Sequence, residues 1–137
     1  IAIQEYGQSN PALEEALRER GALLTPIPVY GWKLPEDTSL LESALKQIAS
    51  GDAEIALFTS AQQVEHVLEV AKAMDSYDDI HRELNRMLVG SIGPITTEAL
   101  NRFEINVSLE PDHSKMGHLI KTLSQNAKRI LNEASKP

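Results

Sequence analysis

Leu88-Val89-Gly90-Ser91-Ile92-Gly93-Pro94-Ile95-Thr96-Thr97-Glu98-Ala99-Leu100 is the stretch on which the fold turns. Its apolar run breaks at Gly93-Pro94 and resumes with helical spacing, so a buried strand hands over to a helix that opens with two threonines. Such a corner is an anion or carbonyl cradle. The first helical turn presents free N–H groups, the helix dipole adds partial positive charge, and the Thr96 and Thr97 hydroxyls add donors.

The same handover recurs on either side. Upstream, Ile55-Ala56-Leu57-Phe58 reads as a buried strand that stops at Thr59-Ser60, followed by a helix with Val64, Val67, Leu68 and Ala71 on its apolar side. An acidic loop with Asp75, Asp78 and Asp79 leads to a helical segment marked by Ile80, Leu84 and Met87. Before that, Ser39 and Glu42 form a capping box for a helix carrying Leu40, Leu41, Ala44, Leu45 and Ile48, closed by Gly51. Ile1-Ala2-Ile3 begins a short strand, and Asn10 as N-cap with Pro11 at the first helical position starts a helix that Gly21 ends. The extended run to Tyr30 contains Pro26 and Pro28, which restricts it to an edge. Downstream, residues 96 to about 103 form a helix and Ile105-Asn106-Val107-Ser108-Leu109 alternates as a strand. After the turn Glu110-Pro111-Asp112-His113-Ser114, a closing helix carries Met116, Leu119, Ile120, Leu123, Ala127, Ile130 and Leu131.

Strand and helix thus alternate about five times, which predicts an α/β fold: a five-stranded parallel sheet with helices on both faces, flavodoxin-like. In such sheets ligands sit beyond the carboxyl ends of the strands. The turns there are small and rich in hydroxyls and amides, and they supply Ser9, Asn10, Thr59, Ser60, Gln62, Gly93, Thr96, Thr97 and Ser114 as candidate binding residues.

Composition narrows the chemistry. At 137 residues the chain has room for one real core, and with 42% hydrophobic but only 4% aromatic residues that core is built from Leu, Ile, Val and Ala. Thirteen Lys and Arg against 20 Asp and Glu give a net charge of −7 with no basic cluster, which argues against nucleic acid as a partner. No apolar run approaches the ~20 residues of a bilayer span, and no basic-then-apolar leader is present, so no membrane association is expected. The absence of cysteine excludes disulfides and a catalytic thiol and suits a cytoplasmic protein. The chain opens on Ile1 in strand-like sequence and reads as a piece of something longer.

Familiar motifs are missing. Gly7-Gln8-Ser9-Asn10-Pro11 is not the dinucleotide fingerprint, no phosphate-binding P-loop occurs, and Phe58-Thr59-Ser60 lacks the aspartate of a receiver domain. The histidines His66, His81, His113 and His118 show no metal-ligand spacing, so no metal is expected, and His66 and His81 read as solvated helix residues. No nucleophile, base and orienter can be assembled from the turns.

Several pieces together resemble the uroporphyrinogen-III synthase family. They are Gly21-Ala22 leading to Pro28-Val29-Tyr30, Leu57-Phe58-Thr59-Ser60 with Val64, Ser91-Ile92-Gly93-Pro94 with Thr96, Ala99 and Leu100, and Pro111 followed by Met116-Gly117-His118-Leu119. Their order and spacing match the C-terminal half of a family member. The resemblance implies an enzyme that closes the linear tetrapyrrole hydroxymethylbilane into uroporphyrinogen III with inversion of the last ring, without metal or organic cofactor. Tyr30 matches the family tyrosine expected to help the hydroxyl depart, while Ser60 and Thr96 match hydroxyls of the substrate cleft. Asn10 stands where many members carry Arg or Lys. The family's two-lobed architecture assigns residues 1–29, a strand-helix-strand, to one lobe, 30–35 to a connector and 36–137 to the main lobe, all within one homology unit. A half-length chain is then expected either to close on itself or to exchange its first strand-helix-strand with a second copy, as a segment-exchanged homodimer. Two alternatives stay open: a non-catalytic tetrapyrrole-sensing or regulatory module, and a flavodoxin-like interaction domain without a pocket.

Overall fold

The structure, a computed structural model, describes residues 1–5, 9–29 and 31–134, Ala134 in its backbone alone. Along the chain the elements are β1 (Ala2–Glu5), α1 (Pro11–Glu19), β2 (Thr25–Pro28), α2 (Ser39–Ala49), β3 (Ile55–Phe58), α3 (Ala61–Ala73), α4 (Tyr77–Leu84), β4 (Leu88–Ser91), α5 (Pro94–Arg102) and α6 (Met116–Ala134). Their contacts divide into two units, Ile1–Pro35 and Glu36–Pro137.

In the first unit β1 and β2 pair in parallel, Ala2 opposite Thr25 through Glu5 opposite Pro28. The Asn10 side chain caps α1, its Oδ1 accepting from the Leu13 N–H at 3.1 Å. With prolines at two of its four positions, β2 cannot donate along its whole length, and a two-stranded sheet asks no more of it. Neither strand nor α1 contains a fully buried residue.

In the second unit β3 pairs in parallel with β4, from Ile55 opposite Leu88 to Phe58 opposite Ser91. All four residues of β4 are buried. Leu88 joins Leu109 and Leu119 in a cluster against which Ile55, Leu57, Leu123, Ala127 and Ile130 pack, so α6 covers this face. Val89 and Ser91 point the opposite way and are equally buried. On α3, α4 and α5 the buried residues Val64, Leu68, Ile80, Leu84, Ala99 and Leu100 repeat at helical spacing. Gly90 leaves space for Leu57, whose Cδ2 lies 2.5 Å from where a β-carbon would stand. Among the described residues no helix is long and apolar enough to cross a membrane.

The expected five-stranded sheet is not what forms. The described strands make two separate two-stranded sheets, and residues 105–109 meet β4 through a single parallel bridge between Gly90 and Leu109. Residues 105–109 do reach β4 through backbone, the Ser108 N–H donating to the Val89 carbonyl at 2.8 Å and the Ser91 N–H to the Leu109 carbonyl at 2.9 Å. The Ile105 N–H, however, goes to the Leu100 carbonyl and the Asn106 N–H to Asn85 Oδ1, each at 3.0 Å, so the pairing does not extend into a strand.

Three smaller expectations shift as well. The first helix of the second unit is entered through Thr38 rather than Ser39: the Thr38 hydroxyl donates to Glu42 Oε1 at 2.7 Å, and Asp37 accepts from the Ser39 N–H at 2.9 Å. Hydrogen bonds from the Ser39 side chain and backbone hold the Asp37 carboxyl below its ordinary range. Asp78 and Asp79 belong to the first turn of α4 instead of a loop, with Asp79 paired to Arg82 at 2.7 Å. His81 is half-buried, its Nε2 2.8 Å from the Phe103 carbonyl oxygen and its ring stacked on Tyr77.

Leu119 is fully buried where α6 meets the sheet. Leu119→Ala is expected to lower unfolding free energy by about 2–5 kcal/mol, read as a fall in the urea midpoint with little change in slope.

Candidate functional site

Parallel strands end on the same side of their sheet, so the register of β3 and β4 places Thr59-Ser60 beside Ile92-Gly93. The Ile92 N–H donates to the Phe58 carbonyl at 3.0 Å. On the other flank the Ser91 N–H donates to the Leu109 carbonyl at 2.9 Å, which brings residues 110–114 to the same edge. Three turns of the second unit therefore meet there.

Two contacts tie the turns together. Gly93 packs so closely on Ser114 that a β-carbon would stand 2.1 Å from Ser114 Oγ and 2.9 Å from its Cβ. The Thr97 hydroxyl donates to the Glu110 carboxylate. Below them the fully buried Ser91 Oγ donates to the Gly93 carbonyl at 2.9 Å and accepts from its N–H at 3.2 Å, fixing the chain direction where β4 becomes α5.

The donors of this corner are largely used internally. The helix begins at Pro94, two residues before Thr96, and Pro94 has no N–H. The N–H groups of Thr96 and Thr97 both donate to the Gly93 carbonyl at 3.0 Å, and the Thr96 residue is buried. Beside it, Gln63 reaches back: its Oε1 accepts from the Thr59 N–H at 2.8 Å and the Thr59 hydroxyl at 3.1 Å, while Ser60 Oγ accepts from the Gln63 N–H at 3.3 Å. The corner is thus a frame closed by its own hydrogen bonds.

Of the candidate residues, Thr59, Ser60, Gly93, Thr96, Thr97 and Ser114 collect at this edge. Gln62 is the second residue of α3, half-buried. Ser9 and Asn10 belong to the first unit, where Asn10 is engaged as the α1 cap. Tyr30 lies outside the described residues. Sequence reasoning passes over Gln63, Ser91 and Glu110. The Ser60-Ala61-Gln62-Gln63 spacing is itself a capping-box signal, whereas nothing local announces Glu110. Among the described residues no group of three or more His, Asp or Glu side chains is placed to hold a metal ion.

Comparison with known proteins gives a consistent picture. The family model described as Uroporphyrinogen-III synthase HemD matches residues 3–121. Two crystal structures of uroporphyrinogen III synthase from Thermus thermophilus align with TM-scores of 0.65 and 0.68 at 29% and 28% identity, covering 98% and 96% of this chain and 50% and 49% of theirs. The Bacillus subtilis (strain 168) protein named Uncharacterized protein YjjA is 27% identical over 126 residues, 91% of this chain and 46% of its own length. The chain therefore spans about half the length of the relatives it matches.

Gly93→Ala is expected to cost about 1–3 kcal/mol of stability by overpacking. Because the clash is with the Ser114 side chain, Ser114→Gly in the same molecule should recover most of that loss. A double-mutant cycle by chemical denaturation checks this, and additive effects would show that the two residues do not touch.

Proposed function

The chain belongs to the uroporphyrinogen-III synthase family, and from that premise we propose that it takes part in tetrapyrrole biosynthesis by cyclising hydroxymethylbilane to uroporphyrinogen III with inversion of the last ring. The observation that carries the reading is the family match over residues 3–121, which runs through both units. Supporting it, the strand-end corner is built from hydroxyls and main chain around the close Gly93–Ser114 contact. Such an edge suits a reaction in which the protein's main task is to hold a folded substrate and steer which carbon attacks.

In this reading the substrate hydroxyl leaves with a proton as water and a methylene cation conjugated with its pyrrole forms. The terminal pyrrole attacks it through the carbon that already bears its methylene bridge, giving a spiro intermediate whose old bridge bond breaks and re-forms at the neighbouring free carbon, and loss of that carbon's proton completes the inverted ring. Tyr30 is the residue proposed to donate to the departing hydroxyl. Ser60 and Thr96 are proposed to orient the substrate, with Thr59, Gln62, Gly93, Thr97 and Ser114 as further proposed contacts in the second unit and Ser9 and Asn10 as those proposed in the first. No metal or organic cofactor enters the scheme. A cytoplasmic setting accords with a chain that has no cysteine.

One observation favours a second reading, a non-catalytic tetrapyrrole-sensing module. Asn10 offers no cation, and its side-chain oxygen is already committed to the Leu13 N–H. Freshly made hydroxymethylbilane, incubated with this chain and with the natural polypeptide that carries it and then oxidised, separates the two. Type III uroporphyrin above the no-protein background is expected from the natural polypeptide, and Tyr30→Phe should lower that rate by about 100-fold or more. Only type I product, with binding retained, would make the sensor the better reading; type III from the natural polypeptide but not from this chain would mean that catalysis needs more than residues 1–137.

A further inference from the structure

We infer that His113, Lys115 and His118 form a carboxylate-gripping corner beside the strand-end frame, with Ile95 and Met116 as the apolar surface for the pyrrole ring that bears the carboxylate. The inference rests on the tetrapyrrole reading above and names groups that reading does not use.

The two imidazoles face each other edge to face, ring centroids 5.0 Å apart and planes at 85°. His113 lies in the turn before α6 and His118 in the first turn of α6, a junction that is held in place. Pro111 is buried beside it, the Lys115 N–H donates to the His113 carbonyl at 2.7 Å, Ser114 packs on Gly93, and the buried Leu119 donates its N–H to the Lys115 carbonyl at 3.0 Å. All three cationic or donor side chains are on the surface.

The segment from His113 onward differs in charge from what precedes it, where Glu110 and Asp112 stand. The chain carries −7 overall, yet residues 113–121 contain His113, Lys115, His118 and Lys121 and no acidic residue. Among the described residues no carboxylate pairs with Lys115. An imidazole N–H and an ammonium offer a carboxylate separate donors for its two oxygens.

The apolar half of the corner comes from the same contact. Ile95 stands two residues beyond Gly93 and Met116 two residues beyond Ser114, so the Gly93–Ser114 contact joins the two segments that carry them. Both are uncovered, at 72% and 52% exposure. A hydrophobic surface rimmed by donors fits a ligand with a flat apolar ring and acidic arms at its edge, and a methionine adapts well to a ring face.

The test uses the natural polypeptide and two probes: turnover of hydroxymethylbilane, and binding of uroporphyrin III followed by quenching of its fluorescence. The double variant His113→Ala/His118→Ala is expected to weaken uroporphyrin affinity and raise KM about tenfold or more, with the thermal midpoint unchanged because both residues are exposed. His118→Arg should restore much of the affinity by returning a donor. Unaltered affinity in the double variant would overturn the inference while leaving the synthase reading intact, whereas a wild-type protein that neither binds uroporphyrin nor turns over hydroxymethylbilane would overturn that reading itself. If the double variant does not fold, Lys115→Gln decides: weaker binding supports the corner, and unchanged binding rules it out.

Discussion

The pairing of β3 with β4 in parallel, with Phe58 opposite Ser91, is the constraint from which the rest of the second unit follows. A parallel pair cannot be closed by a tight hairpin, so α3 and α4 must fill the return path, and both strands must end at one edge. Burial of β4 on both faces makes the register costly to change. A slip of one residue would exchange Leu88 and Gly90 with Val89 and Ser91 between α6 and the opposite face, replacing packed methyls by a hydroxyl. The close approaches of Leu57 to Gly90 and of Ser114 to Gly93 are then consequences of where the strands lie.

This explains which parts of the fold are legible in the sequence. The junctions at 58–61 and 91–94 can be read because a short, mostly apolar run followed by Thr-Ser, or by Gly-Pro, and then by helical spacing marks a strand handing over to a helix. The alternation in residues 105–109 is also real, since Ile105 and Leu109 are buried as it requires. Alternation reports burial, however, and says nothing of who receives each backbone N–H. Here the Asn106 N–H goes to the Asn85 side chain and the Ile105 N–H to the Leu100 carbonyl, while the Ser108 N–H reaches β4 at the Val89 carbonyl, and a fifth strand becomes one bridge. The site divides along the same line. Its hydroxyl-rich turns can be picked out residue by residue, but their partners cannot: Thr97 is engaged by Glu110, thirteen positions away. A donor visible in a sequence is available to a ligand only if the fold leaves it unspent.

The two units differ in how they gain stability. Among the described residues, every fully buried hydrophobic side chain belongs to the second unit. The first has a well-capped helix and a regular parallel pair, yet Leu13, Ile27 and Val29 remain exposed. Two strands and one helix enclose too little apolar surface to offset the entropy of ordering some 35 residues. Local signals such as the Asn10-Pro11 helix start therefore specify its form without making it self-sufficient.

The proposed polycarboxylate ligand would set a problem of range for a chain of charge −7. Long-range attraction is unavailable, and at physiological ionic strength charges separated by more than about 8 Å are largely screened. What a bound carboxylate meets is decided within that distance. Residues 113–121 themselves carry donors and cations and no acidic side chain, with Glu110 and Asp112 directly before them. Net charge then governs how fast such a ligand arrives, and the local set of fixed donors governs whether it stays. If the proposed substrate binds there, an acidic protein would have to hold it by geometry, since each donor acts only at contact. The rigid frame of Ser91, Gly93, Ser114 and the capped start of α3 is the kind of support that keeps such contacts in place.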